Sequence, residues 1–319
     1  MATQLKKVVA PSGGDYTSLE ACVNANEQDL VTADKYFDVE ISGDWSGGAD
    51  TTAVTLHNYT TDATRYINIY TTGDARGNGV WDTDKYILSQ STSAGCITTI
   101  ANYVTFDGLQ VIHTEGTPAG NDSAILQQTV STGKQQIVKN CILRGGRYPL
   151  RLDNTCDYFV FNSLLYGGSA GGVVTVNGTP NCTIYSSTII SAGNSVYAYA
   201  GTTIIAKNCY ASGGTAAYAV NVGSITKTTC ASADATGSAG LQNIAFDTNN
   251  FINVTPGSED LHLSLGSALI GVGTDTSGDS APMDFTDDID GDTRIGTWDI
   301  GVDEFIVAGA GVRSFGFIV

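Results

Sequence analysis

The stretch "QIVKNCILR" at residues 136–144 decides the fold, because similar segments recur along the chain. Copies lie at 103–111, 158–166, 183–191, 203–211 and 224–232. They align on one polar column, whose members are Asp107, Asn140, Asn162, Ser187, Asn208 and Thr229. In every copy the next position is small and the one after it is apolar. This order of a polar turn residue, a small inward residue and an apolar strand residue indicates a repeating structural unit.

Most successive members of the column are 21 to 25 residues apart, which is the length of one coil of a parallel β-solenoid. Coils of that kind stack at about 4.8 Å, so Asn side chains in one column can hydrogen-bond to one another. A propeller blade needs about 40 residues, and a sandwich has no fixed period with a fixed turn residue. We therefore predict an all-β, single-stranded parallel β-helix.

Both ends of an open solenoid need caps, and the sequence offers a candidate for each. Near the N-terminus, Thr17 and Glu20 have the spacing of a capping box, and apolar residues that follow share one helical face. We predict an amphipathic helix from residue 18 to about 27 over the first coil. The predicted divisions are an N-terminal segment with the capping helix, the β-helix, a C-terminal cap and an apolar tail for assembly: 1–29, 30–272, 273–305 and 306–319.

The stretch "DIDGDTRIGTWDIG" at residues 288–301 has acidic residues with the spacing of an EF-hand calcium loop, namely Asp288, Asp290, Asp292 and Asp299. An EF-hand needs glycine at position 6, where this chain has Thr293. We therefore predict a cap in which Arg294 pairs with Asp299 or Glu304, while Trp298 and Ile300 cover the last coil. No metal or other cofactor is expected, and the four aspartates remain the alternative calcium ligands.

The charge of the chain limits its partners. Its formal net charge is −17, with 15 Lys and Arg against 32 Asp and Glu, so it repels nucleic-acid phosphates and anionic lipid. No segment reaches the roughly 18 apolar residues of a membrane span, and no signal-peptide pattern opens the chain. We expect no nucleic-acid binding, no membrane insertion and synthesis in a host cytoplasm. Seven cysteines without a CxxC pair indicate buried, reduced thiols.

Three features together resemble the right-handed parallel β-helix proteins of the pectate-lyase-like superfamily, in the versions found in bacteria and phages. They are the opening "GGDYTSLEACVNA", the coils with their Asn column, and the ending "DLHLSLGSALIGVG…DIDGDTRIGTWDIGVDEF". Residues 50–88 are similar to versions in tailed-phage and prophage genes. The resemblance implies a right-handed β-helix capped at both ends. Activity stays open, because the superfamily holds lyases, hydrolases, adhesins and structural proteins.

Lyases of that superfamily remove a proton next to a uronate carboxylate, with calcium held on carboxylates and Arg or Lys as base. The nearest candidates here are Arg144, Arg147 and Arg151, but "RYPLR" is one residue short of the lyase pattern Arg-x-Pro-x-x-Arg. The lyase Trp-x-Asp-His pattern and the signatures of the pectin hydrolases are absent. The arginines either pair with neighbouring carboxylates or bind an acidic sugar. The predicted glycan-binding set is Arg144, Arg147, Arg151, His113 and Glu115, and no catalytic residue is assigned.

These observations predict a non-enzymatic structural protein of a phage-like particle, either a capsid decoration or a tail fibre or spike component, that binds surface glycans. The alternative is a polysaccharide lyase or another glycan-depolymerising β-helix enzyme. The expected partners are further copies of the chain in a homotrimer, other virion proteins and cell-surface polysaccharide. The expected location is the virion, with an extracellular protein as the alternative. The apolar tail at 306–319 is expected to pack on another subunit or on the particle.

Overall fold

The computed structural model describes residues 1–91, 95–114, 120, 122–128, 133–199 and 201–306. Its strands are numbered here in chain order, and most belong to three parallel sheets. Sheet 1 has nine strands: β1 (Thr3–Val9), β2 (Lys35–Ile41), β4 (Ile67–Thr71), β7 (Val104–Asp107), β10 (Gln135–Lys139), β13 (Asp157–Phe161), β16 (Asn181–Tyr185), β19 (Thr202–Lys207) and β22 (Gly223–Thr228). The chain runs from sheet 1 to sheet 2 to sheet 3 and then begins the next coil.

The other two sheets have seven strands each. Sheet 2 contains β5 (Ile87–Gln90), β8 (Gln110–His113), β11 (Ile142–Gly145), β14 (Leu164–Gly168), β17 (Thr188–Ser191), β20 (Tyr210–Gly213) and β23 (Ala231–Ser232). Sheet 3 contains β3 (Val54–Leu56), β6 (Gly95–Thr99), β9 (Ser123–Gln127), β12 (Tyr148–Asp153), β15 (Gly171–Asn177), β18 (Asn194–Ala198) and β21 (Ala216–Val220). The remaining elements are α1 (Leu19–Ala25), α2 (Leu30–Ala33), a 3₁₀ turn (Gly73–Ala75) and the antiparallel pair β24 (Phe251–Asn253) and β25 (Asp260–Leu263). The predicted all-β parallel β-helix is confirmed.

Alternation along each strand builds the interior of the β-helix. In β4, Ile67 and Ile69 are fully buried, whereas the alternate residues Asn68 and Tyr70 are half-buried on the outer side. The inward positions of all three sheets form one apolar cluster that runs through the whole stack. All seven cysteines are buried and free, as expected. No helix in the described ranges is long and apolar enough to cross a membrane.

The polar column of the repeat is a column of left-handed backbone at the turn from sheet 1 to sheet 2. Asn140, Asn162 and Asn208 lie in it, with φ of 53°, 45° and 51°. Asn and Gly adopt this conformation more readily than other residues, which explains why they recur there. The remaining members are Gly108 (φ 76°), Ser186 (φ 42°) and Thr229 (φ 48°).

Two residues of the predicted column are therefore one position out of register. Asp107 pairs with Lys139 in the strand register, and Ser187 lies beside Ser163, to whose backbone N–H it offers its hydroxyl at 3.3 Å. The column is also not one continuous ladder of side chains. Asn140 donates to Asp107 at 2.9 Å and Thr229 donates to Asn208 at 2.6 Å, but Asn162 bonds to residues 287 and 294 far along the chain. Backbone conformation, rather than amide stacking, explains the column.

The N-terminal helix covers the first coil as predicted, although it begins one residue later than the capping box suggests. Its N-cap is Ser18, whose side chain accepts a hydrogen bond from the N–H of Ala21. Leu19, Cys22 and Val23 are its buried residues. The solenoid strands begin before this helix, at Thr3, so the first strand lies within the predicted N-terminal segment.

The C-terminal segment corrects the prediction of a cap over the last coil. The last solenoid strand ends at Ser232, and residues 233–305, named here the strap, run back along the outside of the β-helix. The N–H of Gly301 donates to the carbonyl of Asn208 at 2.9 Å, and Arg294 reaches the side chain of Asn162 at 3.3 Å, two coils earlier. The strap lies there because outward residues of sheet 2 are apolar and pack against it: Ile142, Leu164, Ile190, Tyr210 and Ala231.

The last coil is closed by polar groups instead. Lys227 occupies an inward position of β22, in register with the buried Ala206. Its ammonium lies 5.3 Å from the centre of the Tyr218 ring and donates to the carbonyl of Thr236. An inward-pointing charge at a sheet edge opposes the addition of a further strand. The start of the strap also provides a hydrogen-bond acceptor for the backbone of β21. The Asp234 carboxylate accepts a hydrogen bond from the N–H of Ala217 at 2.8 Å.

Candidate functional site

Arg144 of the predicted glycan-binding set lies on the outer face of sheet 2, beneath the strap. Its guanidinium is 4.8 Å from the ring centre of Trp81 and 5.5 Å from that of Tyr166. It also pairs with Glu259 of the strap at 3.3 Å, and only 14% of its side chain is exposed. These contacts enclose the charge on several sides, so Arg144 fastens the strap to the β-helix.

Arg147 and Arg151 do not join Arg144 in one cleft. Arg151 lies on sheet 3 and forms a two-pronged pair with Asp153, at 3.1 and 3.0 Å. Arg147, in the turn between sheets 2 and 3, donates to the carbonyl of Gly120 at 3.4 Å and lies over the Tyr148 ring. His113 is buried at the end of β8. Glu115 falls outside the described residues.

The predicted cap residues meet in the strap. The Arg294 side chain is completely buried and pairs with Glu304 at 3.5 Å, while its guanidinium lies 5.5 Å from the centre of the Trp298 ring. Asp299 instead accepts from the N–H groups of Gly271 and Phe305, both at 2.6 Å. Of the two predicted partners, Glu304 is the one that Arg294 contacts.

The EF-hand-like aspartates are used to shape the backbone. Asp288 accepts from the N–H groups of Asp290 and Asp292 with one carboxylate oxygen, and from the N–H of Glu304 with the other. Burial raises the pKa of Asp288 to about 6. Asp299 bonds elsewhere, as described above, and Asp290 reaches His262 at 2.8 Å. The arrangement is a hydrogen-bonded turn rather than the calcium loop that the spacing suggested.

A groove of about 500 Å³ lies where the strap meets the outer face of sheet 1. Its floor comes from strands β4, β7 and β10 and the residues just before them, and its wall comes mainly from the strap. The floor is lined by Ala63, Tyr66, Asn68, Tyr103, Val104, Thr105, Gln135, Ile137, Lys139 and Asn140, and the wall by Phe161, Pro282, Asp284, Phe285 and Asp287. The ring of Phe161 stacks on that of Phe285 at 4.7 Å, which holds the strap at the edge of the groove.

Tyrosines form one column along the groove floor. The strand registers align Tyr36 with Tyr66 and Tyr66 with Tyr103, each one coil further along. The rings of Tyr36 and Tyr66 stack at 5.5 Å, and the ammonium of Lys134 lies 5.5 Å from the centre of the Tyr103 ring. Both groove tyrosines are half-buried. A tyrosine in this position presents an apolar ring and a polar hydroxyl to a ligand.

One ion-paired group borders the floor. The Asp107 carboxylate accepts from Arg76 and Asn140, both at 2.9 Å, and lies 3.2 Å from the ammonium of Lys139. Burial acts to raise the pKa of Asp107, but the cations Lys139 and Arg76 outweigh it and hold the pKa below the ordinary value of 3.8. Lys139 is therefore paired with Asp107, which it shares with Arg76, although it lines the groove.

The sequence motifs did not indicate the groove, because its floor is built from outward strand positions rather than from a charged cluster. A signal was present: Tyr66 and Tyr103 both directly precede the first buried residue of a sheet 1 strand. Aligning all sheet 1 strands by their inward residues would have placed the two tyrosines in one column. The strap part of the wall could not have been found in this way, because it comes from residues more than 140 positions later in the chain.

No protein-family model and no curated protein matches the chain. Among solved structures, it is similar to pectate lyase Pel9A at 11% identity, with a TM-score of 0.46 over 95% of this chain and 97% of that one. It is also similar to the deglycosylated pectin methylesterase from Aspergillus niger at 10% identity, with a TM-score of 0.43 over 78% of this chain and 92% of that one. These similarities carry no information on activity.

Proposed function

We propose that the protein is a non-enzymatic, glycan-binding β-helix of a phage-like particle, with its binding site in the groove between sheet 1 and the strap. The observation that carries the proposal is the groove floor, where Tyr66 and Tyr103 lie beside amide and hydroxyl side chains. Ligand sites are concave and combine aromatic surface with a few convergent polar groups. Asn68, Thr105 and Gln135 supply neutral donors and acceptors of the kind that sugar hydroxyls require.

The charges around the groove favour binding over cleavage. Proton abstraction from a uronate needs an available base, and Lys139, the one basic residue among the described residues that line the groove, is paired with Asp107. Arg144 on sheet 2 pairs with Glu259 of the strap, and Arg151 on sheet 3 pairs with Asp153 of its own strand. Two carboxylates, Asp284 and Asp287, do lie on the groove wall. They are the reason to keep a glycan-depolymerising enzyme as the alternative.

The particle-borne role rests on the resemblance of residues 50–88 to phage and prophage versions of the fold. A stack whose backbone is hydrogen-bonded along its whole length suits a protein exposed outside a cell. Assembly into a homotrimer, contact with other virion proteins, and the virion location stay predictions. Beyond Ile306, the apolar tail proposed to mediate assembly lies outside the described residues.

The test is glycan binding by tyrosine variants. The protein should be screened against cell-surface polysaccharides, and binders measured by calorimetry. We expect Tyr103→Ala and Tyr66→Ala each to weaken binding roughly 10-fold or more, as for an aromatic residue at the centre of a binding site. The matched control is Tyr199→Ala, because Tyr199 is an exposed tyrosine that does not line the groove and should leave binding unchanged.

Two results would overturn the proposal. Equal binding by the Tyr66, Tyr103 and Tyr199 variants would place the glycan elsewhere on the protein. Release of new reducing or unsaturated ends from a bound glycan, abolished by Asp284→Asn or Asp287→Asn, would show that the groove is an active site.

A further inference from the structure

We infer that His262, Asp290 and Asp303 form a binding site for one divalent transition-metal cation, with Zn²⁺ as the best-suited ion. The three residues lie in the strap, and none of them lines the glycan groove. Each offers one ligand atom, and these atoms lie within 4.8 Å of one another. The site differs from the EF-hand-like set, with which it shares only Asp290.

The imidazole of His262 is oriented as in a metal site. Its Nδ1 lies 2.5 Å from a carboxylate oxygen of Asp260, and its Nε2 lies 2.8 Å from a carboxylate oxygen of Asp290. Histidines that bind metal commonly use one ring nitrogen as ligand while a carboxylate holds the other. Asp260 would fix the ring, so that Nε2 faces the other two ligands.

Asp303 supplies an independent reason to expect a cation. Only 6% of the residue is exposed, and one of its carboxylate oxygens accepts from the N–H of Leu263 at 2.7 Å. Within the described ranges, this is the single hydrogen bond that its carboxylate makes. A carboxylate that is nine-tenths buried, next to a second carboxylate, is costly unless a cation offsets it. One imidazole faces three carboxylates here, and a divalent ion would balance their charge.

The dimensions of the cluster suit a small ion. Ligand atoms of a tetrahedral zinc site lie about 2.0–2.2 Å from the metal, and hence roughly 3.3 Å from each other. To reach that spacing, the His262 and Asp290 atoms need to separate by about half an ångström, and a pair at the 4.8 Å limit needs to approach by about 1.5 Å. Gly79 closes one side, since a Cβ there would lie 2.6 Å from Asp290 and 2.8 Å from His262. The side chains of His262 and Asp290 are 19% and 22% exposed, so an ion and a water ligand can enter.

The donor set selects the class of metal. One imidazole with two carboxylates favours zinc and similar transition metals over calcium and magnesium, which prefer all-oxygen sites. Such an ion would join β25, the turn at residues 288–293 and the end of the strap. The site would therefore hold three segments of the strap together and stabilise the folded protein, because a ligand that binds only the folded state shifts the unfolding equilibrium.

The test is zinc binding by the full-length protein after treatment with a chelator. Calorimetry at neutral pH should show one equivalent of Zn²⁺ bound, with release of protons because the imidazole must be neutral to bind metal. Asp290→Asn and His262→Gln should each weaken binding at least about 10-fold, and Asp260→Asn, a change outside the ligand set, about 10-fold. The matched control is His57→Gln, because His57 pairs with Glu27 outside the strap and should leave zinc binding unchanged.

A second measurement guards against variants that fail to fold. Co²⁺ bound to the wild-type protein should produce visible absorption, which zinc should displace, and zinc should raise the melting temperature of the wild type more than that of folded Asp290→Asn. The inference is overturned if the wild type shows no saturable zinc binding, or if Asp290→Asn and His262→Gln bind zinc as the wild type does. Neither result bears on the glycan groove.

Discussion

The outer faces of sheets 1 and 2 come from the same coils but have opposite roles. On sheet 2, outward residues such as Leu164 and Tyr210 are apolar and buried beneath the strap. On sheet 1, outward residues of the early coils, such as Asn68 and Thr105, are polar and half-buried, and they line an open groove. The inward side chains of both sheets follow the same sequence repeat. The outward side chains decide which face is covered and which is available to a ligand.

The border between the outer surface that the strap covers and the outer surface that is open crosses sheet 1 at Phe161. There the strap contributes Phe285 and Met283, which pack on the outward Phe161 and Tyr185. Earlier coils of sheet 1 are open, and later coils are partly covered. The groove lies at this border because a binding cleft needs both a floor and a wall. The contrast can be tested by substituting residues of the covered side, of the border and of the open side.

Arg294→Ala should lower the free energy of unfolding more than the other substitutions, because it removes the buried positive charge of the strap. The Arg294 side chain is fully buried, pairs with Glu304 and donates to the carbonyls of Gly301 and Val302. Its loss leaves buried carboxylates without their cation, so we expect the free energy of unfolding to fall by about 3–5 kcal/mol. Urea denaturation measures this. The control, Arg65→Ala, removes a more exposed arginine that pairs with Asp34 and should cost less than about 1 kcal/mol.

If both arginine variants cost the same, the strap does not depend on its buried charge. The apolar contacts of sheet 2 would then account for its attachment by themselves.

Asn162→Leu should lower the free energy of unfolding by an intermediate amount. Asn162 belongs to the turn column and also contacts the strap. The Asn162 amide donates to the carbonyl of Asp287 at 2.8 Å, and its oxygen accepts from Arg294. Losing these partners should cost about 1–3 kcal/mol in the free energy of unfolding. Asn162→Gly keeps the left-handed backbone and removes only the side chain, so its cost should be smaller.

The matching residue on the open side is Asn140, whose amide donates to Asp107. Asn140→Leu should be less destabilising than Asn162→Leu when both are measured by the same denaturation. The reverse order would mean that the open side contributes more to stability than the strap does.

Asp107→Asn should change the free energy of unfolding least, and the size of this change should depend on pH. The pKa of Asp107 in the folded protein is below its ordinary value of 3.8, so its contribution to stability is present above that pH. The contribution is lost as pH falls through the folded pKa. The stability difference between wild type and Asp107→Asn should therefore shrink as pH is lowered from 5 towards about 3. A difference that stays constant over that range would show that Asp107 gains nothing from Lys139 and Arg76.

The sequence was sufficient to predict the solenoid, the common face of Asn140, Asn162 and Asn208, and the capping helix. Each depends on local pattern, namely a repeat length, a left-handed turn and an amphipathic face. The alignment placed Asp107 and Ser187 in the turn column because it matched polar residues, whereas the backbone requires a left-handed residue at Gly108 and Ser186. Arg144 is separated from the other two arginines because residues close in sequence are divided among different sheets at each turn of the coil, whereas Arg147 and Arg151 both donate to the carbonyl of Gly120.

The sequence by itself determined the β-helix, because the period of small, apolar and turn residues specifies every inward position and each coil contacts only its neighbours. Only the tertiary structure decided where the strap lies, since its contacts join residues such as Arg294 and Asn162 that no short-range pattern connects. The groove and the His262 cluster both depend on the position of the strap. Both bring together side chains from distant segments, and their proximity depends on packing of the outer face.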